Sequence, residues 1–250
     1  IVSLPPTDLP VEGIVAELRD ALSARSAAVL VAPPGAGKTT LVPLRLLDEA
    51  WLDDRTIVML EPRRLAARAA ARRLSALVND EPGGLVGYQT RDERRIGKNT
   101  RIQVVTEGIL TRRLQSDPEL PGVGLVIFDE VHERNLPTDL GLALVLDTQR
   151  TLRPDLKLLA MSATADADKF ARLLGPDTPI VTSEGRQFPV DIRWAAPGKQ
   201  QRLDDAVSQT VQRALRECDG DVLVFLPGIG EITRVQQMLE SNLAQTADDV

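Results

Sequence analysis

Two short segments carry residue types whose order suits the handling of a phosphorylated ligand. The first is APPGAGKTT, residues 32–40, which follows the apolar run AAVLVA at 27–32 and precedes the helical pattern LVPLRLL at 41–47. A loop in that place turns its backbone N–H groups inward and the helix behind it adds its positive end, so the two form a socket for a triphosphate. Pro34, Gly35, Ala36 and Gly37 make the loop, and the glycines let the backbone come close. Lys38 would reach the β- and γ-phosphates, and Thr39, followed by Thr40, would offer a hydroxyl to Mg²⁺. The strict pattern G-x-x-x-x-G-K-[ST] is missed only at its first place, where Ala32 stands for glycine.

The second segment is LVIFDEVHE, residues 125–133. Its four leading apolar residues would deliver Asp129 and Glu130 to the C-terminal end of a buried strand, where ligands collect in open α/β sheets. Asp129 would hold Mg²⁺, directly or through its water, and Glu130 would orient and deprotonate an attacking water. An acidic pair after a strand also serves as a helix N-cap; the Lys38 loop elsewhere in the chain is what favours the catalytic reading. His132 is the one histidine, with no cysteine near it, which disfavours metal ligation. Its position beyond Glu130 suggests a contact with the γ-phosphate or with a neighbouring domain.

These segments need elements to hold them. Apolar, β-branched runs at 27–32, 56–61, 101–105, 124–130 and 156–162 read as buried strands. Between them, residues 65–78, 109–114, 140–152 and 166–174 carry apolar residues at helical spacing. Strand and helix alternate, so the fold class is α/β with a mostly parallel sheet and helices on both faces. Near residue 185 the rhythm breaks at EGRQFPVDIRW, an extended or crossing segment. A new series then opens with a helix at 203–216, a strand DVLVFLP at 221–227 and a helix at 231–243. Two domains are therefore expected: 1–185, and 186–250 as the truncated opening of a second.

The 250 residues, 43% hydrophobic and 26% charged, suffice for one full core and part of another. No apolar run approaches the ~20 residues of a membrane span. Cys218 is the one cysteine and so forms no internal disulfide, and the first residues carry no basic-then-apolar leader; a reducing cytoplasm is the expected compartment. A start at Ile1 rather than methionine suggests a chain trimmed from something larger. The net charge of −6 gives no hint of a nucleic-acid partner, yet residues 55–101 hold 11 basic against five acidic residues, +6 locally. Composition alone leaves this stretch as either a solvated helix face or a functional track.

Taken in order, APPGAGKT, EPRRLAA (61–67), VTEGIL (105–110), DEVHE (129–133), SAT (162–164) and VLVFLPG (222–228) resemble motifs I, Ia, Ib, II, III and IV of the DEAH-box helicases of superfamily 2. Segments 87–102, 155–175 and 183–194 are similar to the bacterial HrpB-type ATP-dependent RNA helicases. Val131 departs from the DEAH spelling. The resemblance implies a P-loop NTPase with a RecA-like first domain and the start of a second, an Mg-ATP-dependent motor on RNA, or on DNA, with 3′-to-5′ polarity. A nucleotide-switched RNA-binding protein that separates no strands is the alternative. The resemblance further implies that Arg63 and Arg64, with Thr106 and Glu107, touch the nucleic-acid backbone, contacts that read no bases. Ser162 and Thr164 would couple nucleotide state to strand movement; as bare residues they are also a cap for the helix near Asp166. In the family, motifs V and VI and their arginine fingers follow later in the chain. A finger is worth about 10³–10⁵ in rate, so these 250 residues are expected to bind ATP and turn it over slowly.

Overall fold

A strand whose apolar run shows no polar alternation must be covered on both faces, and the computed structural model builds its centre from such runs. It describes residue 4 and residues 6–164, 167–185, 189–198 and 200–247. The chain divides into two compact units, Ile1–Gln187 and Phe188–Val250.

The first unit holds an eight-stranded sheet of β1 (Ala27–Val31), β2 (Thr56–Leu60), β3 (Val86–Gln89), β4 (Arg94–Arg95), β5 (Ile102–Val105), β6 (Val123–Phe128), β7 (Lys157–Ser162) and β8 (Ile180–Thr182), in the order β4-β3-β5-β2-β6-β7-β1-β8. Only the β3–β4 pair is antiparallel. The five strands expected from the sequence are present; β3, β4 and β8 extend the sheet at its edges.

Alternate residues of the central strands feed two cores. Leu30, Met59 and Ile127 face α1 (Val15–Ala24), α2 (Lys38–Arg45) and α3 (Arg64–Leu77), against Leu22, Leu41 and Leu74. Val29, Val58 and Phe128 point the other way, into the cluster of Leu110, Val145 and Phe170 from α4 (Glu107–Ser116), α5 (Leu136–Thr151) and α6 (Ala167–Leu174). Residue 166, expected from the sequence at the start of α6, lies outside the described residues.

Among its described residues the second unit holds the helices α7 (Leu203–Glu217) and α8 (Ile229–Ala247). The expected strand at 221–227 does not form: these residues have no strand pairing, and Leu223 and Phe225 are 80% and 87% exposed. Among the described residues of this unit no extended neighbour takes up its backbone N–H and C=O groups, and an apolar run without a ladder partner cannot be a buried strand. The described part of EGRQFPVDIRW also lacks helix and strand, and residues 186–188 lie outside the description. Among the described residues no helix is long and apolar enough to cross a membrane.

Candidate functional site

Parallel pairing gathers the candidate residues. β5, β2, β6, β7 and β1 lie side by side and run the same way. The segments leaving their C-terminal ends, Thr106, 61–64, 129–133, 162–164 and 32–37, therefore share one edge of the sheet.

The loop between β1 and α2 turns through left-handed backbone at Gly35 and Gly37, with φ of 76° and 97°, a conformation that glycine adopts without strain. A side chain at Gly37 would also press on Leu9, whose Cδ1 lies 2.9 Å from the place of a Cβ. Residues 9–11 cross the loop there, and Val11 N–H donates to the Ala36 carbonyl at 3.1 Å. Ala36 is buried while Pro34 and Gly35 form an exposed tip. Gly37 caps α2, so the first-turn N–H groups of that helix open toward the loop.

Two contacts join this loop to the end of β6. Lys38 is 4% exposed and its Nζ lies 3.1 Å from Glu130 Oε1. Thr39 Oγ1 donates to Asp129 Oδ2 at 2.6 Å, while Asp129 Oδ1 accepts from the Glu130 N–H at 2.9 Å. Asp129 has no exposed surface; burial raises its carboxyl to about 6, and the Thr39 hydrogen bond opposes that rise. Glu130 sits in left-handed backbone, φ 52° and ψ 37°. Such strain costs of order 1–3 kcal/mol for a residue with a Cβ and persists only where surroundings fix it. Here the Asp129 N–H to Leu60 carbonyl bond and the ion pair to Lys38 do so.

The Thr39 hydroxyl and the Asp129 carboxylate are two hard oxygens within hydrogen-bonding distance of each other. That pair fits Mg²⁺, which takes one or two protein oxygens and fills its shell with water and phosphate oxygens. No group of three or more His, Cys, Asp or Glu that could cage a metal occurs among the described residues.

His132, expected at a γ-phosphate or another domain, ties two strand exits together. Its Nδ1 accepts from the Ala163 N–H at 3.3 Å and lies 3.4 Å from Glu130 Oε2. Next to it Thr164 N–H donates to Ser162 Oγ at 3.2 Å. The helix-cap reading of Ser162 and Thr164 rests on residues 165 and 166, which are outside the description.

The candidate track residues are also engaged. Arg63 pairs with Glu133 and Arg64 with Asp92, all on the surface. Thr106 is buried as the N-cap residue of α4 without a side-chain capping bond. Glu107 turns to α5, where its Oε1 accepts from Thr138 Oγ1 at 3.0 Å. Of the basic stretch, Arg55, Arg68, Arg95 and Arg101 likewise meet carboxylates.

Two residues lie in segments singled out from the sequence, 61–67 and 183–194, but their part in the site is not legible there. Glu61, 5% exposed, lines a cavity of about 390 Å³ with Thr40, Arg63, Arg73, Glu130 and Glu133. Burial, then the charges of Asp129 and Glu130, push its carboxyl to about 8. In the sequence it is the first residue of EPRRLAA, an acid at the end of an apolar strand, and nothing there marks its raised pKa. Gly185 lies against the phosphate loop from the other side: a Cβ there would overlap Pro33 Cγ and sit 3.1 Å from Pro33 Cδ. The contact follows from β8, where Thr182 pairs with Val31 and Ser183 N–H donates to the Val31 carbonyl at 2.8 Å.

Residues 15–173 match the DEAD/DEAH box helicase family. The chain is 52% identical over 237 residues to the ATP-dependent RNA helicase HrpB of Escherichia coli (strain K12), across 95% of the chain and 29% of that protein. It is 35% identical over 243 residues to the pre-mRNA-splicing factor ATP-dependent RNA helicase prp22 of Schizosaccharomyces pombe, across 97% of the chain and 21% of that protein. A crystal structure of the Escherichia coli DEAH/RHA helicase HrpB superposes with a TM-score of 0.86 at 53% identity, covering 94% of this chain and 30% of the other. The chain thus spans less than a third of the length of these relatives.

Gly185→Ala should displace Pro33 and the phosphate loop. Overpacking of about 1–3 kcal/mol corresponds to about five- to 150-fold in nucleotide Kd, and adding Pro33→Ala should restore affinity. Titration with a fluorescent ATP analogue checks this; a double variant as weak as the single one would refute the steric account. Glu61 titrates near 8 in the fold against an ordinary 4.5. The stability it contributes is full below 4.5 and is lost as pH rises through about 8. Glu61→Gln should therefore melt like the parent at pH 4 and higher than it at pH 9, by at least about 3 °C, in thermal unfolding followed by circular dichroism.

Proposed function

The chain belongs to the DEAD/DEAH box helicases, and from that premise we propose that it carries the ATP-binding part of an Mg-ATP-dependent RNA helicase, a cytoplasmic enzyme acting on single-stranded or structured RNA. The observation that supports this most directly is the pair of contacts across β1 and β6, Lys38 with Glu130 and Thr39 with Asp129. On this reading they set a phosphate-binding loop, a metal-holding pair and a base side by side.

Mg²⁺, held by Thr39 and Asp129, would neutralise phosphate charge and orient the β- and γ-phosphates. The rest is done by side chains. Lys38 spends its charge on Glu130; a triphosphate in the loop competes for that ammonium, so its arrival loosens Glu130. Freed, Glu130 accepts a proton from the water that attacks the γ-phosphorus, and the leaving oxygen belongs to the β-phosphate. His132, fixed on Ala163 N–H, reports the position of this segment to Ser162 and Thr164.

On the RNA side, Arg63 and Arg64 exchange Glu133 and Asp92 for backbone phosphates, charge-assisted contacts that carry no base identity. Release of Glu133 by Arg63 changes the charge around Glu61 and Glu130 in their shared cavity. That links RNA occupancy to the hydrolytic residues. Residues from 186 onward are proposed to open the second RecA-like domain, whose partner role requires sequence beyond α8.

Lys38→Ala should abolish ATP binding, whereas Glu130→Gln should bind ATP and fail to hydrolyse it, with RNA stimulating hydrolysis only in the parent. Equal loss of affinity in the two variants, or hydrolysis indifferent to RNA, would remove this reading. Replacing Arg63 and Arg64 together by alanine should weaken RNA binding and flatten its log–log salt dependence by about 0.7 for each phosphate that is no longer neutralised; fluorescence anisotropy at several salt concentrations measures the slope.

A further inference from the structure

Away from the phosphate loop, a solvent-open cavity of about 460 Å³ lies between α4, the strands β3 and β5 and the turn at 117–122. It reaches Thr56 and Val123, the first residues of β2 and β6, at the opposite ends of these strands from Glu61 and Asp129.

The half-buried guanidinium of Arg113 dominates its chemistry. Nη1 donates to Gln103 Oε1 at 2.8 Å and Nη2 to Gln89 Oε1 at 2.9 Å. Both partners are neutral, and among the described residues Arg113 forms no ion pair. Burial, and then the charge of Arg94, lower its pKa, so the cation is held where it is disfavoured. A partly buried arginine ordinarily meets a carboxylate or another anion.

The donors here exceed the acceptors. A guanidinium carries five N–H groups and accepts nothing, so three remain after the two glutamines. Because the glutamine oxygens must face Arg113, their amide N–H groups point elsewhere, and neither amide finds an acceptor among the described residues. Arg112 adds a second cation to the lining. The one acid of the lining is Asp117, whose Oδ1 accepts from the Glu119 N–H. Ile109 and Val123 supply apolar wall beside the charge.

We propose that this cavity is a second oxyanion site, separate from the triphosphate socket, in which Arg113 and the amides of Gln89 and Gln103 hold a phosphate group. Its volume suits a ligand of mononucleotide size. The phosphate belongs either to such a small molecule or to the backbone of a nucleic acid. None of the cavity's residues belongs to the Lys38 site, so the second site stands whether or not the chain is part of a helicase motor.

The test is run in the Lys38→Ala background, where the phosphate loop no longer competes. Calorimetric titration with inorganic phosphate, AMP and a short single-stranded RNA is compared before and after Gln103→Glu, which sets a carboxylate against Arg113. Saturable binding of at least one probe is expected, with affinity falling at least about tenfold on Gln103→Glu while the thermal midpoint holds or rises. Arg113→Gln should lose the same binding. Loss confined to RNA identifies a backbone phosphate; loss of phosphate or AMP binding identifies the small-molecule source. No saturable binding of any probe, or binding unchanged by Gln103→Glu in a folded chain, would overturn the proposal.

Discussion

An ammonium that is 4% exposed must meet an opposite charge or lose its own. At the edge of this sheet Lys38 meets Glu130, and much of the local geometry follows from that requirement. Lys38 opens α2 directly after the loop, so the ion pair fixes the loop against the end of β6. Glu130 reaches it only from left-handed backbone, which β6 can hold because the Asp129 N–H still pairs with Leu60 on β2. The Thr39 to Asp129 bond lies beside it as a second clasp. Removing either acid would leave a buried donor without its partner, the more costly half of any such pair.

The same edge carries more acid than Lys38, Arg63 and Arg73 can neutralise. Asp129, Glu130 and Glu133 surround Glu61, and Glu61 responds by keeping its proton near neutral pH. Burial is the larger cause and the neighbouring charge adds to it, so the carboxyl ionises only as pH rises through about 8. Arg63, paired to Glu133 and lining the same cavity, is the cation whose departure or arrival alters that balance. The short connections His132 to Ala163 and Glu107 to Thr138 then bind the exits of β6 and β7, and the start of α4 to α5. These links are side chain to neighbour, a few ångströms each, and need no motion of the sheet.

Much of this is legible in the residues. Long apolar runs locate β1, β2, β5, β6 and β7, and the loop spacing locates Lys38 and Thr39, because both signals are local. β3, β4 and β8 are four, two and three residues long, too short for a period to register, and Gly87 interrupts the first. The run at 221–227 shows the reverse error: its composition states a demand for burial, and composition holds no information about whether a partner strand lies alongside. Glu61 and Gly185 stay hidden for a related reason. A raised carboxyl and a forbidden Cβ are properties of neighbours distant in sequence, Asp129 for one and Pro33 for the other.

The two oxyanion sites argued for this sheet hold charge by different means. At the C-terminal edge, backbone N–H groups and a helix end do most of the holding, which keeps the binding surface close to neutral and lets a multiply charged phosphate bring its own metal. At the Arg113 cavity the lining includes neither the N-cap Thr106 nor the first two residues of α4, which contributes Ile109, Arg112, Arg113 and Ser116, and the positive field comes from guanidinium groups. Such a field falls away with salt, whereas a preformed loop of buried N–H groups is far less screened. A parallel sheet supplies the first kind of site wherever a strand gives way to a helix. The second has to be written into side chains, which is why Gln89 and Gln103, two polar residues on the neighbouring strands β3 and β5, mark the place.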